Sequence, residues 1–587
     1  MLHTDVARRA ILPDEIVFDP ADAPRAHDLR CPACGGRGPS SRVLTVPSVE
    51  PPHPILELFR CEGCGTLAFD PPGITDIADV DQIAGDAWRH YVEAGGDVWE
   101  TVWPALIARE RGSLLDVGCG FGFGVDFWRH SGRGEAIGVE SAPYGRLGRE
   151  MLGAPIVAER LDSGPLAGRR FDVVLASEVI EHTDDSRAFA ALLARHVADD
   201  GVLVLTTPDA SCIDPSTEPS TTLAALSPGF HGFVLSRGAF EAAAAAAGFE
   251  HRHWRSMNGR QFLWASRRPF SLPPEREAYR GPVLDYLARR GQEEALEPSV
   301  RIGYLYRLLR DLSRARRFAE AAPVLHHLDA LIAARHGPEA LDPVRAIEKL
   351  RACATPQEAG RVGSYCLPMR FFLDAQIAQN VRGDYAGALA SYRAAVEATE
   401  RCGALGTIWF MEAIGTLWTM RIDGALLRLA LGDERAADEL ALAVDEGAMP
   451  RREHAFATLA PGYLDRLLPA VAEDLVQRGG HGAARVVAAA YRRHLERNHE
   501  RAFVEIGAID AALADPAARV PPSPLFLPWF EALLHLVPGG DAARGTALAR
   551  EVLRVAEAHA HDRRCGDELR TLAQRVRARL GAAGSGR

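Results

Sequence analysis

Four cysteines in two matching pairs and a glycine-rich turn flanked by two acids are the parts of this sequence that could do chemistry. Cys31-Pro-Ala-Cys34-Gly and Cys61-Glu-Gly-Cys64-Gly repeat one spacing. Two residues between thiolates let one turn present both sulfurs to a single ion, and the glycine that follows relaxes the backbone so that amides can point at sulfur. Cys31, Cys34, Cys61 and Cys64 therefore supply the four ligands of a tetrahedral, structural Zn2+. The 26 residues between the pairs exceed the roughly 15–20 of the commonest ribbon spacing, so the chain between them must make a longer excursion. A closed four-thiolate site has no open coordination position and is expected to stabilise rather than react. Free reduced thiols or a redox pair are the alternatives.

The second constellation is Leu-Leu-Asp116-Val-Gly118-Cys-Gly120-Phe-Gly122-Phe-Gly at 114–124. An apolar strand ends in Asp116, the glycines make a sharp turn, and a helix follows. Glycines permit positive φ and close backbone approach to a ligand, while the helix start supplies unpaired amides. A dinucleotide fingerprint fails, because Phe123 stands where its third glycine would be. The next strand ends in Glu140, an acid placed to accept hydrogen bonds from two ribose hydroxyls.

These groups need elements to hold them. Short apolar runs at 113–117, 135–140, 155–158, 171–176 and 202–206 alternate with helical patterns, the signature of a parallel α/β sheet. Runs at 250–257 and 261–266, joined by Asn258-Gly259, read as a closing hairpin. From about 269 onward the chain is rich in Ala, Leu and Arg with helical periodicity nearly throughout. Turn-then-alanine pieces recur there, placing Ala321, Ala388, Ala437 and Ala484 at spacings of 67, 49 and 47 residues. They resemble degenerate tetratricopeptide-type repeats, whose period is about 34. A non-repeating helical bundle is the alternative. The expected organisation is a zinc-ribbon segment at 1–75, an α/β domain at 76–268, a linker at 269–300 and an all-α, repeat-like domain at 301–587.

The segment from about Trp88 to Arg268 resembles a class I S-adenosylmethionine-dependent methyltransferase domain. The resemblance rests on the glycine loop, on Phe-Asp-Val-Val-Leu-Ala-Ser-Glu-Val-Ile-Glu-His at 171–182 and on Gly-Val-Leu-Val-Leu-Thr-Thr-Pro-Asp at 201–209. It is also carried by His231-Gly-Phe-Val and the Ala-Gly-Phe at 247–249. It implies a Rossmann-like, seven-stranded sheet with one reversed strand and S-adenosylmethionine as cofactor. Gly118, Gly120 and Gly122 would flank its methionine part, Asp116 would orient it, Glu140 would hold the ribose, and Asp162 would lie near the adenine. Methyl transfer is an in-line attack on a sulfonium carbon, so the protein mainly aligns two reactants and removes a proton from the acceptor. His182, which would face the methyl group in this family, and His231, behind a Ser/Thr/Pro-rich loop at 211–229, are the candidate bases. Helix capping by His182 and loop anchoring by His231 are the structural alternatives.

A cysteine-rich module ahead of such a domain is similar to bacterial sugar and polysaccharide-associated methyltransferases, which implies a sugar, sugar-nucleotide or glycan acceptor. An RNA methyltransferase, or a scaffold whose helical region presents a partner protein for modification, are the other readings. The 587 residues carry 67 basic and 78 acidic side chains, a net charge of -11, which argues against nucleic acid. Lys349 is the only lysine. No apolar stretch approaches the roughly 18 residues of a membrane span. Asp5, Arg8 and Arg9 interrupt any leader-like core, so a reducing, cytoplasmic setting is expected, where paired cysteines favour metal over disulfides.

Overall fold

Strands that read as unbroken apolar runs belong in the middle of a parallel sheet, covered on both faces. The computed structural model bears this out. It describes residues 15–20, 27–48, 54–72, 88–158, 161, 164–217, 219–274, 276–447, 461–498, 503–516, 518, 520–521, 523–537 and 541–584. Among them the chain divides into two units. One runs to Gly383 and includes Glu397–Ala413; the other comprises Asp384–Val396 and the chain from Ile414 onward.

Two sheets organise the first unit. The cysteine-bearing sheet contains β1 (Val17–Phe18), β2 (His27–Arg30), β3 (Arg37–Pro47), β4 (Ile55–Cys61) and β5 (Leu67–Phe69). The central sheet contains β6 (Leu114–Val117), β7 (Ala136–Val139), β8 (Ile156–Val157), β9 (Phe171–Ser177) and β10 (Val197–Pro208). After β11 (Phe233–Val234), the hairpin β12 (His251–Met257) and β13 (Arg260–Ser266) completes that central sheet. Its order is β12-β13-β10-β9-β6-β7-β8. The strands from β8 to β10 run parallel, and β13 pairs antiparallel with β10. The hairpin turns on Asn258 and Gly259, both at positive φ, as a two-residue turn of this handedness requires. All seven strands stand where the sequence put them, and one is reversed as the resemblance implied.

Chain order changes direction between β6 and β9. Sheets of this kind bind their ligands at such a switch point, beyond the carboxyl ends of the strands.

The cysteine module does not stand apart at 1–75. Its antiparallel sheet, ordered β1-β3-β4-β5-β11 with β2 on β3, takes its last strand from the α/β region: Phe233 pairs with Ala68 and Val234 with Leu67. One of its faces joins the main core, where Leu29, Phe59 and Ala68 pack with Phe233, Leu235 and Phe240. The other face buries Leu44, Leu56 and Leu58 among Ile213, Leu223 and Leu226. A two-residue strand carries no readable periodicity, which is why the sequence separates what the fold joins.

The stretch 269–300, expected as a linker, holds the helix Arg280–Gln292 and the start of the helix Pro298–Arg314. Arg290 donates to both carboxylate oxygens of the fully buried Asp126, each at 2.9 Å. The Tyr286 and Tyr304 hydroxyls reach the same carboxylate at 2.6 and 2.9 Å. Polar side chains at helical spacing look like a solvated face; here they are buried because every charge is paired.

The second unit is helical throughout its described residues, with Pro461–Gln477 packed on His481–Asn498 and Phe526–Leu536 on Ala542–Ala558. Within their own units, Ala321, Ala388, Ala437 and Ala484 are all buried, as small residues at close helix contacts must be. Among the described residues no helix is long and apolar enough to cross a membrane.

Candidate active site

The glycine loop occupies the switch point. Gly118, Gly120 and Gly122 all have positive φ, and neighbours press on two of them: a Cβ at Gly118 would stand 2.5 Å from Val179 Cγ2, and one at Gly122 2.6 Å from Ile156 Cδ1. Only glycine fits at either position. Glu140 closes the loop from the end of β7, its carboxylate accepting from the Gly120 amide at 2.9 Å and the Ala142 amide at 2.8 Å. A carboxylate has about four lone-pair sites, so two remain for a ligand. Asp116 is 2% exposed and its Oδ2 has no hydrogen-bond partner among the described residues. Burial, and then the nearby Glu140 charge, push its carboxyl up to about 7. An orphaned buried carboxylate oxygen beside bare glycines is an acceptor that the amino group of a cationic amino-acid ligand would satisfy. Asp162 lies outside the described residues.

The segment behind Val179 carries the second half of the site. His182 and His231 meet edge to face, ring centroids 4.9 Å apart. His182 Nδ1 lies 2.8 Å from the Phe230 carbonyl and His231 Nδ1 lies 3.0 Å from the Ala225 carbonyl. A carbonyl only accepts, so both protons sit on Nδ1 and both Nε2 lone pairs are left bare. Burial lowers both histidines, His231 to about 3 with the His182 charge adding to the effect. Each stays neutral at physiological pH.

Glu181, fully buried and next to His182 in sequence, lies 4.0 Å from His231 Nε2 and accepts from Thr207 Oγ1 at 3.0 Å. Its other oxygen has no hydrogen-bond partner among the described residues, and burial drives its carboxyl well above the ordinary range. Glu181, His182 and His231 offer ligand atoms within 4.8 Å of one another, so the described residues could hold a metal here too. Glu178, at φ 56, turns its side chain to Thr206 and Arg260. The sequence marked Glu178 and Glu181 only as parts of a motif; the pairing of the first and the burial of the second had no signal of their own.

The cysteines converge as their spacing predicts. All four sulfurs lie within 4.8 Å of one another, Cys31 and Cys64 at 3.5 Å and Cys34 and Cys61 at 3.8 Å. Tetrahedral zinc at a Zn–S distance of about 2.3 Å spaces its sulfurs about 3.8 Å apart. The knuckles match: Gly35 donates to the Cys31 carbonyl and Gly65 to the Cys61 carbonyl, each glycine at positive φ. Hydrogen bonding from Cys31 draws the Cys64 thiol down to about 4. Both knuckles dock on helix starts of the α/β region, where Ser186 donates its amide to the Pro32 carbonyl and Ser236 its hydroxyl to the Cys64 carbonyl. The module also braces the histidine pair, since Gly232 donates to the Glu181 carbonyl and Phe69 to the Gly232 carbonyl.

A family model described as a methyltransferase domain matches residues 89–253. Ubiquinone biosynthesis O-methyltransferases from three strains of Cereibacter sphaeroides are 34% identical over 100 residues, covering 16% of this chain and 40% of theirs. The chain therefore spans well under half the length of the curated relatives it matches. Among solved structures, an O-methyltransferase family protein from Burkholderia thailandensis is 16% identical, covering 33% of this chain and 62% of that one, with a TM-score of 0.28. A TehB-like SAM-dependent methyltransferase from Corynebacterium glutamicum is 17% identical over 31% of this chain and 94% of that one, with a TM-score of 0.23. The family match lies across the glycine loop and β6 to β10, so residues 89–253 of this longer chain are similar to a methyltransferase domain.

Proposed function

We propose that this chain transfers a methyl group from S-adenosylmethionine to a hydroxyl oxygen of a small acceptor, a sugar or sugar nucleotide. The observation that carries the reading is the pairing of an orphaned Asp116 and glycine loop with a neutral histidine pair whose Nε2 lone pairs are bare. S-adenosylmethionine, when bound, supplies an electrophilic methyl on a sulfonium. Asp116 meets the amino group, Gly118, Gly120 and Gly122 leave room for the methionine portion, and Glu140 accepts from the ribose hydroxyls. His182 Nε2 takes the acceptor's proton as the oxygen attacks. His231, held by the Ala225 carbonyl, orients His182 edge to face. The four cysteines hold a structural zinc that fixes the segment around His231.

Oxygen as the accepting atom is supported by the relatives named above, and the sugar class by the resemblance of the cysteine-plus-methyltransferase order. The test is transfer of label from methyl-tritiated S-adenosylmethionine to a panel of sugar nucleotides, with a catechol and bulk RNA as comparisons. Label in a sugar nucleotide, lost in His182→Ala, is the expected result. Label confined to the catechol or to RNA overturns the acceptor class.

A further inference from the structure

The helix Pro298–Arg314 lies beyond the segment matched by the family model, yet one of its side chains reaches the cofactor side of the site. Arg307 is 1% exposed and has no carboxylate within ion-pair distance among the described residues. Its guanidinium donates instead to backbone carbonyls at the end of the short helix Trp88–Glu93: to Val92 at 2.8 Å, Tyr91 at 3.1 Å and Gly96 at 3.1 Å, and to Gly95. A cation belongs at a helix C-terminus, where unpaired carbonyls collect partial negative charge. Gly303, one turn earlier, makes the approach possible, since a Cβ there would stand 2.0 Å from the Val92 oxygen. Arg307 also lies over the Phe123 ring, 4.8 Å from its centroid.

What this clamp holds in place is Tyr91. Its ring packs on Tyr144 at 5.0 Å and Phe123 at 6.3 Å. Its hydroxyl lies 3.2 Å from where a side chain on Gly120 would begin, within electrostatic range of Asp116 and Glu140. The ring thus lies against the glycine loop at Gly120.

We propose that Tyr91 is the roof of the cofactor pocket and that Arg307 is the positioning residue that sets it, so that cofactor binding depends on a helix outside the methyltransferase domain proper. The inference rests on the reading of the glycine loop as an S-adenosylmethionine site. An electron-rich ring over that loop suits a sulfonium or an adenine face, and a roof held by four carbonyl contacts is preorganised, so little ordering is left for the ligand.

The test is calorimetric titration of the full chain with S-adenosylmethionine, comparing wild type with Tyr91→Ala, Tyr91→Phe, Arg307→Met and the double variant Tyr91→Ala/Arg307→Met. Tyr91→Ala should weaken binding about tenfold, as removal of a stacked aromatic does, and Tyr91→Phe by no more than about threefold. Arg307→Met should weaken it about as much as Tyr91→Ala, and adding it to Tyr91→Ala should change affinity by less than about twofold, because a residue acting only through another has nothing left to position. If Arg307→Met does not fold, Tyr91→Ala alone decides. Wild-type affinity in Tyr91→Ala, or effects that simply multiply, overturns the inference while leaving the cofactor site intact. Wild type that does not bind overturns the reading of the site and the inference with it.

Discussion

The cysteine module and the helix Pro298–Arg314 both attach to the α/β sheet, by opposite means. The module joins through a backbone ladder, Phe233–Val234 against β5, and through apolar side chains shared with the main core. The helix joins through charge: Arg307 on carbonyls, Arg310 on Asp97 at 2.9 Å, and Tyr304 on the Asp126 carboxylate that Arg290 also holds. Apolar contact is non-directional and tolerant, whereas a buried charge keeps its place only while each partner is present. The two joints also serve different halves of the site, the module backing the histidine pair and the helix the glycine loop. Damage to the module should appear in turnover and damage to the helix in cofactor binding, each with a cost in stability.

The largest test of that division is metal removal. Cys31→Ser should empty the cysteine cluster, lower stability by more than about 4 kcal/mol and abolish methyl transfer, read by metal analysis, denaturant unfolding and a label-transfer assay. One zinc per chain is expected in wild type, and full turnover in zinc-free protein would break the comparison. Next, Arg290→Ala, on the neighbouring helix Arg280–Gln292, strips the guanidinium from the buried Asp126 carboxylate that Tyr304 shares, leaving it only His130 and two tyrosine hydroxyls, and should cost about 3–5 kcal/mol in chemical unfolding. A cost under about 1 kcal/mol would place the helix joint with the tolerant, apolar kind.

His182→Ala should lower turnover about a hundredfold while the S-adenosylmethionine dissociation constant moves by less than about threefold. A base works unprotonated, and burial holds His182 below the usual histidine value of about 6.5. The acid limb of the wild-type pH profile should therefore fall below that value and be missing from the variant. The smallest effect concerns Asp116. Its carboxyl is raised to about 7 in the folded protein, so the stability linked to it is complete below the unfolded value of about 3.9 and is lost as pH rises through 7. A bound cation favours the ionised form, so affinity for S-adenosylmethionine should climb about tenfold between pH 6 and 8. In Asp116→Asn the titration should be flat.

Period and spacing made the central sheet legible. All seven strands, the Asn258-Gly259 hairpin, the glycine loop and the four cysteines could be read because each is a local pattern with one structural solution. His182 and His231 could be named, but their meeting edge to face depends on Phe230 and Ala225 carbonyls that only the fold brings near. Tyr91 and Arg307 left no mark: an aromatic in a short helix reads as core, and an arginine on a helix reads as solvated face. The union of the cysteine module with β11 was hidden for a similar reason, since two residues define a strand only once their partner strand exists.

The most direct measurement is calorimetric titration of the full chain with S-adenosylmethionine, repeated on Asp116→Ala. The account predicts one site of about micromolar affinity, weakened at least about tenfold in the variant by loss of the buried carboxylate. Well-folded wild-type protein that takes up no ligand, or a variant that binds as wild type does, would contradict it.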